Sequence, residues 1–143
     1  MRAQISFDLL AIATFTLLIF LIIFELYILE SNRVRIIENR LDAKRIANMV
    51  VRGINGVMRI NGTSVQVGLP ETLESGESYF LSIRGVGRRV DISWPVSSSN
   101  VSLSVPLLTS NVTDINITKT AGSGITNVDI SNVNGAINVT IQS

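Results

Sequence analysis

The sequence predicts an α+β protein, with a long N-terminal α-helix, apolar over its first half, followed by a small antiparallel β-sandwich or barrel-like domain. Three observations predict it. Leu9–Phe24 is an apolar run broken only by Thr14 and Thr16, and no proline occurs before Pro70. Residues from Val34 to Val57 repeat apolar side chains at helical spacing. Beyond Asn61 the pattern changes to short alternating runs separated by turn residues, which is how half-buried strands read.

The helix is expected from about Ile5 to about Met58, and at ~1.5 Å per residue it would extend ~80 Å. Ile5–Phe7 and Leu26–Leu29 bring the apolar run close to the roughly 20 residues that cross a bilayer. It is apolar on every side, so lipid or other helices must surround it. From Glu30 onward Val34, Ile37, Leu41, Ile46, Met49, Val50, Ile54 and Val57 form a stripe, and the Ile37/Leu41 part is expected to lie on the sheet. Gly53 and Gly56 weaken the last turns.

About seven strands are expected. Ser64–Leu69 comes first, after the Asn61-Gly62 turn signal. Tyr79–Ile83 and Val90–Trp94 flank Gly85-Val86-Gly87 and read as a hairpin. Val101, Leu103, Val105 and Leu107 alternate, and Pro106 marks a strand end or a sheet edge. Ile115 and Ile117, Val128 and Ile130, and Ile137, Val139 and Ile141 supply the rest. Asn134-Gly135 is a second hairpin turn. The sequence thus divides into residues 1–3, a helix over 4–58 (apolar to 29, amphipathic from 30) and a β-rich domain over 59–143.

With 143 residues and a formal charge of +1, no global field points to nucleic acid. The charge is unevenly spread. Residues 33–59 carry seven basic and two acidic groups, and residues 60–143 carry four basic and six acidic. These segments attract each other, or their counterparts in neighbouring copies. The chain has no Cys and no His. That removes disulfides, Cys/His metal sites, Cys nucleophiles and His acid–base chemistry, so neither an enzyme nor a cofactor is expected. Glu71, Glu74 and Glu77 match no cation-loop spacing and read as a solvated acidic loop. Gly122-Ser123-Gly124 lacks the lysine and the strand–helix context of a phosphate cradle. Ser97, Ser98 and Ser99 read as loop, and Trp94 as packing.

The N-terminus opens Met1-Arg2-Ala3-Gln4-Ile5-Ser6-Phe7-Asp8. An ordinary secretory signal is cut after its apolar run at small residues. This run ends Phe24-Glu25-Leu26-Tyr27-Ile28-Leu29-Glu30 and offers none. Gln4-Ile5-Ser6-Phe7-Asp8 instead resembles the processing motif of archaeal type IV pilins with class III signal peptides. Leu69-Pro70-Glu71, the Tyr79–Ile83 run and Val105-Pro106-Leu107-Leu108-Thr109 also look like that family's β-domain.

The resemblance implies a cut between Ala3 and Gln4 that leaves the apolar helix in the mature chain; Ala3 departs from the usual glycine before the cut. It implies a homopolymeric adhesion filament at the cell surface, a precursor held in the cytoplasmic membrane, and partners in prepilin peptidase and the pilus assembly machinery. An unpaired carboxylate beside an apolar run is costly to bury. In staggered copies Asp8 would meet the new Gln4 amine of a neighbour.

Five Asn-X-Ser/Thr acceptors, at Asn61, Asn100, Asn111, Asn116 and Asn138, are all in the β-rich zone. They are candidate N-glycosylation sites, which demand an extracytoplasmic face. Arg33 and Arg35 after the apolar run outnumber Arg2 before it, which alone would place the C-terminal side in the cytoplasm. The processing motif and the acceptors take precedence. Competing readings are a minor pilin or pseudopilin, an archaellin, and a single-pass membrane protein whose β-domain binds a ligand.

Overall fold

The computed structural model describes the backbone of residues 2–96 and 99–142, and their side chains from Phe7 onward. One helix, α1, spans Arg2–Val57. Seven strands follow: β1 (Ser64–Leu69), β2 (Tyr79–Arg84), β3 (Arg89–Val96), β4 (Ser99–Pro106), β5 (Ile115–Lys119), β6 (Thr126–Val133) and β7 (Ala136–Gln142). The architecture is α+β. The chain forms two compact units, Met1–Ile36 and Ile37–Ser143. The first is the leading part of α1. The second holds the rest of α1 and every strand, so the helix is divided between the units well before its end.

The strands form two antiparallel sheets in the orders β1-β6-β7 and β4-β3-β2-β5. The hairpin of β2 and β3 pairs Leu81 with Ile92 and Ile83 with Val90. Asn134 and Gly135 both have positive φ (54° and 84°) and join β6 to β7, the primed-turn geometry that Asn-Gly favours. Pro106 is the last residue of β4, which is also an edge strand; there its missing N–H interrupts no ladder. Asn61-Gly62 does not make a hairpin. It joins the end of α1 to β1, and β1 pairs with β6 instead.

Both sheets bury one face. Leu81, Ile83, Val90, Ile92, Trp94 and Ile117 come from one, and Val67, Leu69, Val128, Ile130, Ile137 and Val139 from the other. They share one core with α1, where each fully buried aliphatic side chain contributes roughly 1.5–3 kcal/mol. The helical stripe in that core is Ala43, Ile46, Ala47, Val50, Val51, Ile54 and Val57. Ile37 and Leu41 are not part of it; they are 59% and 63% exposed. The sheet takes the face with the small side chains. An added Cβ on Gly53 would stand 2.9 Å from Ile130 Cδ1 and 3.0 Å from Val67 Cγ2. Gly53 therefore sets how close α1 comes to β1 and β6, and it does not end the helix.

The end of α1 is closed by a residue far away in sequence. Asn132 Nδ2 donates to the carbonyls of Val57 (2.9 Å) and Met58 (3.2 Å), while its Oδ1 accepts from Gly135 N–H (2.9 Å). One buried amide thus satisfies orphan helix carbonyls and fastens the β6–β7 turn. Lys119 is also buried, and its Nζ donates to Gly124 O (2.6 Å) and Thr126 Oγ1 (2.7 Å). Burial pushes its ammonium down, and the nearby Glu71 carboxylate opposes that.

Tyr79 gives this unit an alkaline sensitivity. Its hydroxyl donates to Pro70 O at 2.7 Å. Burial first, and then the Asp42 carboxylate, push the phenol well above its ordinary value. A group raised in the folded state stabilises while protonated in both states and loses that contribution as pH climbs past the unfolded value of about 10. Stability is therefore expected to fall above about pH 10. Tyr79→Phe should flatten that decline in denaturant titrations run across the range. An unchanged slope would exclude Tyr79 as its source.

Candidate functional site

The first candidate surface is the apolar part of α1. From Phe7 to Leu29 every large apolar side chain is exposed, from 42% at Ile19 to 71% at Phe7. Among the described residues this is the one helix long and apolar enough to cross a membrane, and none of its apolar stretch is buried. Its polar interruptions are internally satisfied. Thr14 and Thr16 donate to the carbonyls of Leu10 and Ile12, each at 2.8 Å. Phe20 and Phe24 stack at 6.2 Å along one side.

Asp8 is exposed at the N-terminal end of this surface and makes no ion pair or side-chain hydrogen bond among the described residues. Ala3 and Gln4 are helical in backbone, and their side chains lie outside the described ones. A carboxylate set into hydrocarbon needs a cation or donors to stay charged.

The second candidate is the set of glycan acceptors, and all five are exposed. They are placed quite differently. Asn100 and Asn116 are on the polar face of the four-stranded sheet, on its two edge strands. Asn138 is on the polar face of the other sheet, and Asn61 is in the turn before β1. Asn111 precedes the parallel bridge of Val112 with Ile137. The Oδ1 atoms of Asn61, Asn116 and Asn138 accept from Asn134 N–H (2.8 Å), Ser82 Oγ (2.7 Å) and Thr113 Oγ1 (3.2 Å). Asn111 uses its amide nitrogen, the atom a glycan would occupy, to donate to Gly135 O at 2.7 Å. Thr113, the hydroxyl member of the Asn111 acceptor, thus ties that acceptor to Asn138. Asn100 makes no side-chain hydrogen bond among the described residues. Ser97 and Ser98, just before it, lie outside the described residues, and Ser99 begins β4.

The polar face bearing Asn116 carries a charged row. Arg89 Nε donates to Asp91 Oδ2 at 3.0 Å, Arg84 Nε approaches the same oxygen at 3.8 Å, and Ser104 Oγ donates to Oδ1. This network lies on the outer face of the β2–β3–β4 ladder and reads as a solvated clamp between strands.

A third surface was not visible in the sequence. The α1 segment from Asp42 to Met49, the loop from Pro70 to Glu74 and Ile125 enclose a groove of about 600 Å³. Its walls include Ile46, Met49, Pro70, Leu73 and Ile125, and Ile125 is 76% exposed. Asp42 Oδ2 accepts from Glu74 N–H at 2.9 Å and holds the loop to the helix. Glu71 accepts from Gly122 N–H and holds the Thr120–Ile125 turn. These partners are 32 and 51 residues apart, so no local pattern signals the groove.

No family model, curated protein or solved structure matches this chain.

Proposed function

We propose that this chain is the major structural subunit of an adhesion filament of the archaeal type IV pilin kind, built through its apolar N-terminal helix. The observation that carries the reading is the continuity of α1. Its apolar stretch is bare, yet the same unbroken helix supplies Ala43 to Val57 to the core of the β-bearing unit. A conventional signal cut after Leu29 would fall inside that helix. The motif Gln4–Asp8 supports a cut on the other side, between Ala3 and Gln4.

The mechanism is assembly. The precursor sits in the membrane, a peptidase removes Met1–Ala3, and the apolar helices pass from lipid into contact with one another. Hydrophobic area changes little in that exchange, so shape packing and the pairing of Asp8 with a neighbour's Gln4 amine select register. The β-bearing units coat the outside and present the acceptors at Asn61, Asn100, Asn116 and Asn138. No catalytic chemistry is assigned to any residue.

The N-terminus of protein sheared from the cell surface tests this. Mass analysis should find chains that begin at Gln4 and retain the apolar helix. Surface chains that keep Met1–Ala3, or that begin beyond Leu29, overturn the reading. The excess of Arg33 and Arg35 after the apolar run favours a second reading, a single-pass membrane protein that never leaves the bilayer.

A further inference from the structure

The β-bearing unit leaves two complementary surfaces uncovered. One is the groove between α1, the Pro70–Glu74 loop and Ile125. Its floor and lips are apolar, and its rim carries Asp42, Glu71 and Glu74 against the single cation Arg45. The other is the side of α1 turned from the sheets. There Ile37 and Leu41 are 59% and 63% exposed. Arg40 and Lys44 lie along one side of them, exposed and without an ion pair among the described residues, and exposed Glu38 lies along the other.

We infer that the groove of one copy receives the Ile37–Lys44 ridge of another copy of this chain. The proposal rests on the filament reading above and names a contact within it. The apolar pair Ile37 and Leu41 settles between Met49 and Ile125, and Arg40 and Lys44 face Glu71 and Glu74. Both apolar groups lose water, and Glu71 and Glu74, which form no ion pair within 4 Å among the described residues, each gain a cation. The ridge also explains why apolar residues stand on the face of α1 that the sheets do not use. Isolated exposed leucines need no explanation, but an apolar pair with two exposed cations along one side matches an apolar groove with an acidic rim, even with Glu38 along its other side.

The geometry of the pairing has a further content. At 100° per residue, Met49 stands about 80° around the helix from Leu41 and about 120° from Ile37. Ridge and groove are neighbouring surfaces rather than one self-matching patch, and copies that repeat head to tail along a filament make the contact heterologous. Such contacts do not stop at a dimer; they close into rings or continue as open helical arrays.

Because the chain has no cysteine, the contact can be tested by crosslinking. Full-length Leu41→Cys/Ile125→Cys chains replace the parent in the cells that make it. Sheared filaments are oxidised with copper–phenanthroline and run without reductant. Both positions are exposed, so the fold should tolerate them. The expected result is a ladder of dimers, trimers and longer species. Each single variant alone should give none, and the two singles expressed together should give dimers only. Filaments that form normally but yield no ladder overturn this contact and leave the filament reading standing. So does a single variant that crosslinks to a different protein. If the parent chain forms no filaments, both readings fall. A charge exchange gives a second measurement. Glu74→Lys should reduce filament yield several-fold, and Lys44→Glu in the same chain should restore it. Losses that merely add overturn the pairing.

Discussion

Chains carrying Asp8→Ala are expected to reach the membrane and fold their β-bearing unit normally, yet to leave the cell surface without filaments. The carboxylate makes no ion pair or side-chain hydrogen bond among the described residues, so its loss costs the isolated subunit nothing. The effect falls on assembly. Removing one partner of a buried ion pair costs roughly 3–5 kcal/mol, and a filament multiplies that loss at every repeat. Asp8→Glu keeps the charge, shifts it by one methylene, and should recover part of the yield. Counting filaments by negative-stain microscopy, beside a protease-resistance assay of the membrane fraction, separates assembly from folding. Equal filament numbers for parent and Asp8→Ala would remove the pairing from the mechanism, and filaments from neither would favour the single-pass reading.

Gly85→Ala should cause the largest loss of stability. A Cβ there would lie 2.2 Å from Val112 O and 2.7 Å from Ser110 O. These are backbone atoms, and their segment cannot yield easily. Asn111 O accepts from Ile137 N–H and Thr113 N–H donates to Ile137 O, both at 2.9 Å. Gly85 N–H itself donates to Asp114 Oδ1 at 2.6 Å. One methyl group therefore pushes the link between the β2–β3 turn and the flank of β7. The cost should be about 3 kcal/mol, the upper end for overpacking. Gly56→Ala is the control, because nothing lies within 4 Å of its added Cβ. It should stabilise by about 0.5–1 kcal/mol through helix propensity. Urea melts of detergent-solubilised chains followed by Trp94 fluorescence would compare them. A Gly85→Ala midpoint equal to the parent's would show that the Ser110–Val112 segment moves freely.

Much of the fold was legible because its signals are local. Alternation in Tyr79–Ile83 and Val90–Trp94 marked a hairpin that pairs in that register, and Asn134-Gly135 marked a turn that needs positive φ twice. The apolar run marked a helix by its length alone. What was not legible depends on contacts between distant residues. Ile46, Val50, Ile54 and Val57 of the expected stripe do lie in the core, but its Ile37/Leu41 part was misplaced because the helix has apolar residues on two faces. Periodicity favours the bulky Ile37 and Leu41, whereas close packing on β1 and β6 favours Ala43, Ala47 and Gly53. The Asn61-Gly62 turn was legible, but the partner of the strand after it was not, since β1 pairs with β6 about sixty residues later. Asn132 looks like an ordinary strand residue until Val57 is seen beside it.

Of the candidate sites, exposure of the five acceptors agrees with their polar sequence context. Their differing engagement does not follow from it. Nothing near Asn111 in the chain announces that Gly135 will take its amide proton. The groove was hidden for the same reason, since its three walls come from widely separated stretches.

The hydroxyls of Thr14 and Thr16 turn back onto their own helix and leave it with almost nothing to offer a neighbour except hydrocarbon. Such a surface cannot tell an acyl chain from a leucine, so moving it between the two is close to thermoneutral. Direction must then be imposed from elsewhere, by a driving machine or by the few groups that are not hydrocarbon. By the same logic, a helix that enters a polymer without a steep downhill step can also be drawn out of it.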